Sequence, residues 1–134
     1  DDNAALAIDD AVRAALLGEG DVESRLLRLL AEGQRPETVL RIASLAVVRL
    51  LRLATEVEAG KTAAAAIDAI RPPLHFRAKA ATERALGRWR TGGLIEALDR
   101  LRQAEAGCRR RQAPAALICR HALCGLAARA AVRR

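Results

Sequence analysis

Aromatic residues are almost missing from this chain of 134 residues, which has one Phe, one Trp and no Tyr. β-branched residues are also sparse, whereas Ala, Leu, Arg and Glu, which favour helices, are abundant. The shortage of aromatic side chains argues against a stacking platform of the kind that holds single-stranded nucleic acids. The composition predicts an all-α protein, and the length fits one domain with a modest core.

Methionine is absent, and cysteine occurs only as Cys108, Cys119 and Cys124. A chain without Met is expected to be a cut domain or a processed product. An odd number of cysteines gives no disulfide framework, so a reducing cytoplasm is the expected location. The acidic first residues lack the basic segment of a signal peptide. Arginines interrupt the most apolar stretch, residues 39–53, which argues against a membrane span.

Acidic residues become scarce in the second half of the chain. Residues 1–70 hold 8 basic and 12 acidic residues, a net charge of −4, whereas residues 71–134 hold 15 basic and 4 acidic residues, a net charge of +11. A basic half is typical of a protein that contacts a polyanion or an acidic partner. A compositional bias toward Ala and Arg explains the same imbalance, so charge alone does not select a function.

Apolar spacing and helix-ending residues predict a single bundle of about seven helices. Glycines 18, 33 and 60 are expected to end the first three helices, and Asp21, Thr62 and Thr91 to cap three helix starts. The third helix is apolar around most of its circumference, which predicts a central core helix. The predicted ranges are about 4–17, 22–32, 36–59, 63–70, 76–89, 92–111 and 114–131.

The last two predicted helices have apolar faces at helical spacing. The residues expected to face the core are Leu94, Leu98, Leu101 and Cys108 in the sixth helix, and Leu117, Ile118, Leu123 and Leu126 in the seventh. Among the larger side chains, Phe76, Leu86 and Trp89 are interpreted as anchors of the core or of an interface.

No catalytic, cofactor-binding or metal-binding residues are predicted. The Gly60-Lys61-Thr62 run lacks the first glycine of a phosphate loop, because Thr55 stands at that position, so a helix end followed by a cap is favoured. Cys119, His121 and Cys124 diverge around a helix and cannot converge on one ion. His75 has no nearby acid or nucleophile in the sequence, so we interpret it as a packing or partly exposed residue.

Two groups of arginines are candidates for contacts with other molecules. Arg109, Arg110 and Arg111 lie at the end of the predicted sixth helix, where they either complement the helix dipole or contact DNA phosphates. A second stripe on the fifth helix is interpreted as a solvated face or as a rim against a partner. Its members are Arg77, Arg84 and Arg88.

One pattern in the chain resembles a known family. Arg71-Pro72-Pro73-Leu74-His75-Phe76-Arg77 is followed by Leu86 and Trp89. Together with the order of the other helical segments, it resembles the C-terminal helical domain of the delta subunit of bacterial DNA polymerase III, a clamp-loader subunit. Ala78 and Arg109 depart from the family pattern, which is usually basic at the first position and often Lys at the second. The other segments that carry the resemblance are 9–18, 26–36, 58–60, 94–101, 109–114 and Leu117 with Leu123.

The resemblance implies an all-α collar domain over residues 1–134, with residues 1–8 as a candidate linker. It implies a non-catalytic part of the polymerase holoenzyme that assembles with the collar domains of other loader subunits. The loader places the sliding clamp on primed DNA, and the ATPase-like and clamp-binding domains lie outside this chain. Primed DNA is then expected to bind only weakly, if at all. A free-standing basic nucleic-acid-binding module and a helical adaptor for an unrelated complex stay open as alternatives.

Overall fold

The computed structural model describes residues 2–132, and this part of the chain is all-helical, with seven helices and no strand. The prediction of a single helical bundle is confirmed. Most predicted boundaries lie within two residues of the observed ones. The helices are α1 (Asp2–Leu16), α2 (Val22–Ala31), α3 (Pro36–Glu58), α4 (Ala63–Asp68), α5 (Phe76–Arg88), α6 (Thr91–Cys108) and α7 (Ala115–Val132).

Glycine ends the first three helices in the same way. Gly18, Gly33 and Gly60 all have positive φ, at 72°, 95° and 120°. In each case the glycine N–H and the next N–H bond back to carbonyls of the last helical turn, which is the Schellman arrangement. Residues with a Cβ adopt this backbone region at a cost, so these glycines could be recognised from the sequence.

Of the three predicted caps, Thr91 is wrong, and Asp21 has the predicted position but lacks the side-chain hydrogen bond of a cap. Asp21 is the N-cap residue of α2, but among the described residues its carboxylate accepts a hydrogen bond from Arg25 Nε at 2.8 Å instead of one from the first helical turn. Thr91 is the first residue of α6 rather than its cap, and its hydroxyl donates to Glu58 Oε1 at 3.3 Å. The Thr62 cap is confirmed, since its hydroxyl oxygen accepts the Ala65 N–H at 3.1 Å.

Helix α3 is the centre of the bundle, as its apolar circumference predicted. It contacts α1, α4, α5, α6 and α7, and its side chains from Val39 to Ala54 supply much of the core. A smaller apolar cluster joins Leu53 of α3 to Ala66 and Ile67 of α4. Leu86 packs against both this cluster and the main core. The segment expected as a linker belongs to α1 from residue 2 onward, and Ile8 is buried.

Helix α7 packs against α1, α2, α3 and α6 through Cys119, Leu123 and Leu126. Leu117, predicted to face inward, is 61% exposed. At about 100° per residue, Leu117 lies roughly 160° from Cys119, on the opposite side of the helix. Among the described residues, α7 alone has the length and composition of a membrane-crossing helix, a property that core helices share.

Candidate interaction surfaces

The predicted arginine cluster lies in the turn between α6 and α7. Helix α6 ends at Cys108, three residues earlier than predicted, so Arg109, Arg110 and Arg111 stand outside the helix. Arg109 pairs with Glu105 at 2.7 Å, an i, i+4 pair that keeps it along the helix. The exposed Arg110 and Arg111 have no ion-pair partner among residues 2–132. The positive charge available to another molecule is therefore mainly that of Arg110 and Arg111.

The start of α3 lies close to the same turn. The backbone hydrogen bond at Glu37 lowers the pKa of its carboxyl, and Arg35 and Arg109 lower it further. Arg35 bonds Glu37 at 3.0 Å. The charge of Arg109 is thus offset by two carboxylates, Glu105 and Glu37, which leaves it less suited than its two neighbours to contact a phosphate.

Phe76 is exposed, which corrects its interpretation as an anchor of the core. Its side chain is 70% exposed at the first position of α5. The His75 ring lies 4.6 Å from the Phe76 ring, between centroids, and the Arg77 guanidinium carbon lies 6.0 Å from the Phe76 centroid. An exposed Phe beside an imidazole and a guanidinium is compatible with the second interpretation of this residue, an anchor of an interface.

The role of His75 was missed by sequence reasoning. Its Nδ1 accepts the Arg77 backbone N–H at 3.2 Å, so the imidazole caps the N-terminus of α5. The cap and the preceding Pro72-Pro73 pair fix where the helix begins, and hence where the Phe76 side chain points. In the sequence, His75 directly follows the Pro-Pro pair and a Leu, where a helix was expected to begin. Because His is an uncommon N-cap residue, this position was not recognised as a cap.

Trp89 is an anchor of the core. It is 4% exposed, and its indole Nε1–H donates to Leu16 O at 2.9 Å. Arg88, expected on a solvated stripe with Arg77 and Arg84, instead donates to Ala130 O at 2.9 Å. The end of α5 is therefore tied to α1 through Trp89 and to α7 through Arg88.

A groove runs along the outer side of α6 and α7, with a volume of about 720 Å³. The two helices are antiparallel, since Gly107 approaches Ile118 at one end and Arg129 pairs with Glu96 at the other. We call this feature the α6–α7 groove. Its floor consists of small and aliphatic residues, and its polar rim is formed by Arg100, Gln103, Arg110, His121 and Arg129.

The thiols and His121 do not form a metal site. Cys119 is buried and His121 is exposed on the other side of α7, as the helical spacing predicted. No group of three His, Cys, Asp or Glu residues in the described part of the chain could hold a metal ion. Burial raises the pKa of the Cys119 thiol to about 12, so this thiol is protonated at neutral pH.

The Gly60-Lys61-Thr62 run has the geometry of a helix end and a helix start. Gly60 forms the left-handed turn that follows the end of α3, and Thr62 caps α4. The Lys61 ammonium lies 3.4 Å from Glu56 Oε1. A phosphate loop follows a strand, whereas this segment follows a helix of 23 residues. The interpretation of these residues as caps is confirmed.

Comparisons with known proteins do not assign a role to these surfaces. No protein-family model, curated protein or solved structure matches this chain.

Proposed function

We propose that this chain is the helical collar domain of a clamp-loader delta subunit, and that it acts by assembly with other loader subunits rather than by catalysis. Its role is to support the loading of the sliding clamp on primed DNA by the replicative polymerase holoenzyme. The clamp itself is bound through an N-terminal domain outside this chain. The resemblance of residues 71–89 and the single bundle of helices support this proposal.

The observation that carries the proposal is the exposure of Phe76. This residue belongs to the Pro-Pro segment on which the resemblance rests, and it is the only Phe in the chain. A fold with two aromatic residues would gain from burying both, because each buries a large apolar area. Instead Phe76 is presented to solvent at a helix start held by His75. Exposed aromatic side chains of this kind serve as anchors in protein interfaces.

Contact with DNA has a secondary place in this proposal. Arg110 and Arg111 can reach phosphates, and two such contacts give weak binding that does not depend on sequence and falls steeply with salt. The assembly contact is expected to tolerate salt better, because it rests on apolar surface as well as charge.

The test of assembly is to mix the purified chain with the other loader subunits and run size exclusion at two salt concentrations. We expect co-elution at both. A second test is a gel shift on primed DNA with the complete loader, in which Arg109, Arg110 and Arg111 are all replaced by Ala. We expect weaker binding and a shallower dependence on salt. A chain that joins no loader complex but binds one duplex sequence tightly would instead be a nucleic-acid-binding module.

A further inference from the structure

We infer that the α6–α7 groove binds an amphipathic helix whose apolar face is flanked by carboxylates, supplied by a neighbouring loader subunit. The identity of the partner rests on the proposed function, whereas the chemistry of the occupant rests on the groove alone. Within the described residues the groove is lined by three arginines and one histidine, but by no Asp or Glu.

The shape of the groove favours a helix over a compact ligand. Along α6 it extends from Ala97 to Gly107, a rise of about 15 Å at the helical spacing of roughly 1.5 Å per residue, and it continues to Arg110 in the following turn. Its floor is apolar and contains small residues of both helices, such as Ala104 and Gly125, which allow another helix to approach closely. Leu117 stands exposed at one end, where it can pack against the apolar face of an incoming helix.

Gly125 points to unfilled space in the groove. It lies in the interior of α7, where Gly is less favourable than Ala by about 1 kcal/mol. A Cβ built at this position meets no heavy atom of the described residues within 4 Å. The packing of this chain therefore does not require a glycine there, whereas a helix seated in the groove would occupy the space.

The charges of the rim select the flanks of the occupant. Arg100 on α6 and Arg110 in the turn after it have no ion-pair partner in the described part of the chain. Arg129, on the opposite wall, is paired with Glu96, which does not line the groove. Carboxylates beside the incoming apolar face would meet Arg100 and Arg110 on the α6 side of the groove, whereas a basic helix would be repelled.

The test uses two synthetic helices as long as α7, which has 18 residues. Both have a Leu and Ala face, flanked by Glu in one peptide and by Lys in the other. Fluorescence anisotropy measures their binding to the chain. We expect the Glu peptide to bind at least about tenfold more tightly than the Lys peptide, a difference of about 1.4 kcal/mol.

Variants of the chain then locate the binding site. Gly125→Leu fills the groove, and Arg100→Glu reverses a rim charge, so each is expected to weaken the Glu peptide at least about tenfold. The matched control is Gly87→Leu, since Gly87 is an exposed helical glycine on α5 whose added Cβ also meets no described atom within 4 Å. Melting followed by circular dichroism verifies that each variant folds.

Three outcomes overturn the inference: equal binding of the two peptides, binding that neither groove variant weakens, and self-association or DNA binding through the groove instead of peptide binding. Repeating the size-exclusion experiment with Gly125→Leu separates this inference from the proposed function. Loader subunits that still bind the variant fully leave the assembly role standing and remove the groove from it. If the peptide binds in the groove but no loader subunit joins the chain, the groove stands and the proposed function fails.

Discussion

The two ends of helix α5 place the only two large aromatic side chains of the protein in opposite surroundings. At the C-terminal end, Trp89 is buried and its indole N–H bonds Leu16 O, while Arg88 holds Ala130 O. At the N-terminal end, Phe76 lies in solvent beside His75. The C-terminal end of α5 is therefore part of the core, whereas the N-terminal end leaves a large apolar side chain available for contacts.

The contrast shows that the size of an apolar side chain does not decide its role. Trp89 comes after the last turn of α5 and faces α1, whereas Phe76 comes at the first position, beyond the reach of the main core. Substitutions at the two ends are therefore expected to separate stability from assembly. A substitution at the Trp89 end should lower the free energy of unfolding, whereas a substitution at the Phe76 end should weaken binding to a partner.

The largest effect is expected for Trp89→Ala, which should lower the free energy of unfolding by about 3–5 kcal/mol. The substitution removes a buried indole and leaves the Leu16 carbonyl without its donor. Urea unfolding followed by circular dichroism measures the change. Trp89→Phe restores most of the volume but not the hydrogen bond, so an intermediate loss is expected. In the native protein, indole emission typical of full exposure to water would contradict the burial of Trp89.

Gly18→Ala is expected to cost about 2–4 kcal/mol, because left-handed strain adds to overpacking. Gly18 has a φ of 72°, and an added Cβ would lie 2.6 Å from the backbone nitrogen of Ala131. Gly33→Ala is the matched control: its φ is 95°, but its Cβ would meet no described atom within 4 Å. Chemical unfolding of both variants isolates the steric part of the loss, and equal losses would show that α7 does not press against Gly18.

The helices could be predicted because their signals are local. Apolar spacing set their faces, and the glycines at 18, 33 and 60 marked three of their ends. Of the two interpretations given for Trp89, the structure shows the first, an anchor of the core. The exposure of Phe76 could not be found in the same way, because a single apolar residue at a helix start carries no periodicity of its own, whereas that of Leu117 could have been, since helical spacing places it opposite Cys119.

The surfaces were harder to predict than the helices, because they depend on tertiary pairing. Arg109 is offset by Glu105 at i, i+4, a pairing visible in the sequence, and also by Glu37 from a distant segment. Arg100 and Arg129 meet at one groove only because α6 and α7 pack antiparallel. The wrong cap at Thr91 has the same origin, since its hydroxyl donates to Glu58 from a distant segment, whereas the carboxylate of Asp21 is taken by Arg25 within the same helix.

A moderate effect is expected for the cap of α4, a helix that contacts α5. Thr62→Ala removes the acceptor of the Ala65 N–H and should cost about 1 kcal/mol. Thr62→Ser keeps the hydroxyl oxygen and should retain most of that stability. Thermal melting of the two variants measures the difference. If both lose the same amount, the contribution of Thr62 comes from its methyl group rather than from its cap.

The smallest change in stability and the clearest separation of roles are expected for Phe76→Ala. Because the side chain is mostly in solvent, the free energy of unfolding should change by less than about 0.5 kcal/mol. If Phe76 anchors the contact with a neighbouring loader subunit, the same variant should weaken that contact by about 2 kcal/mol or more. The matched control is Leu27→Ala, because Leu27 is another exposed large apolar side chain and lies on α2. Chemical unfolding and a binding titration with the loader subunits are performed on both variants. A large loss of stability in Phe76→Ala would show that Phe76 supports the fold. Unchanged binding of this variant would show that Phe76 is not part of the interface.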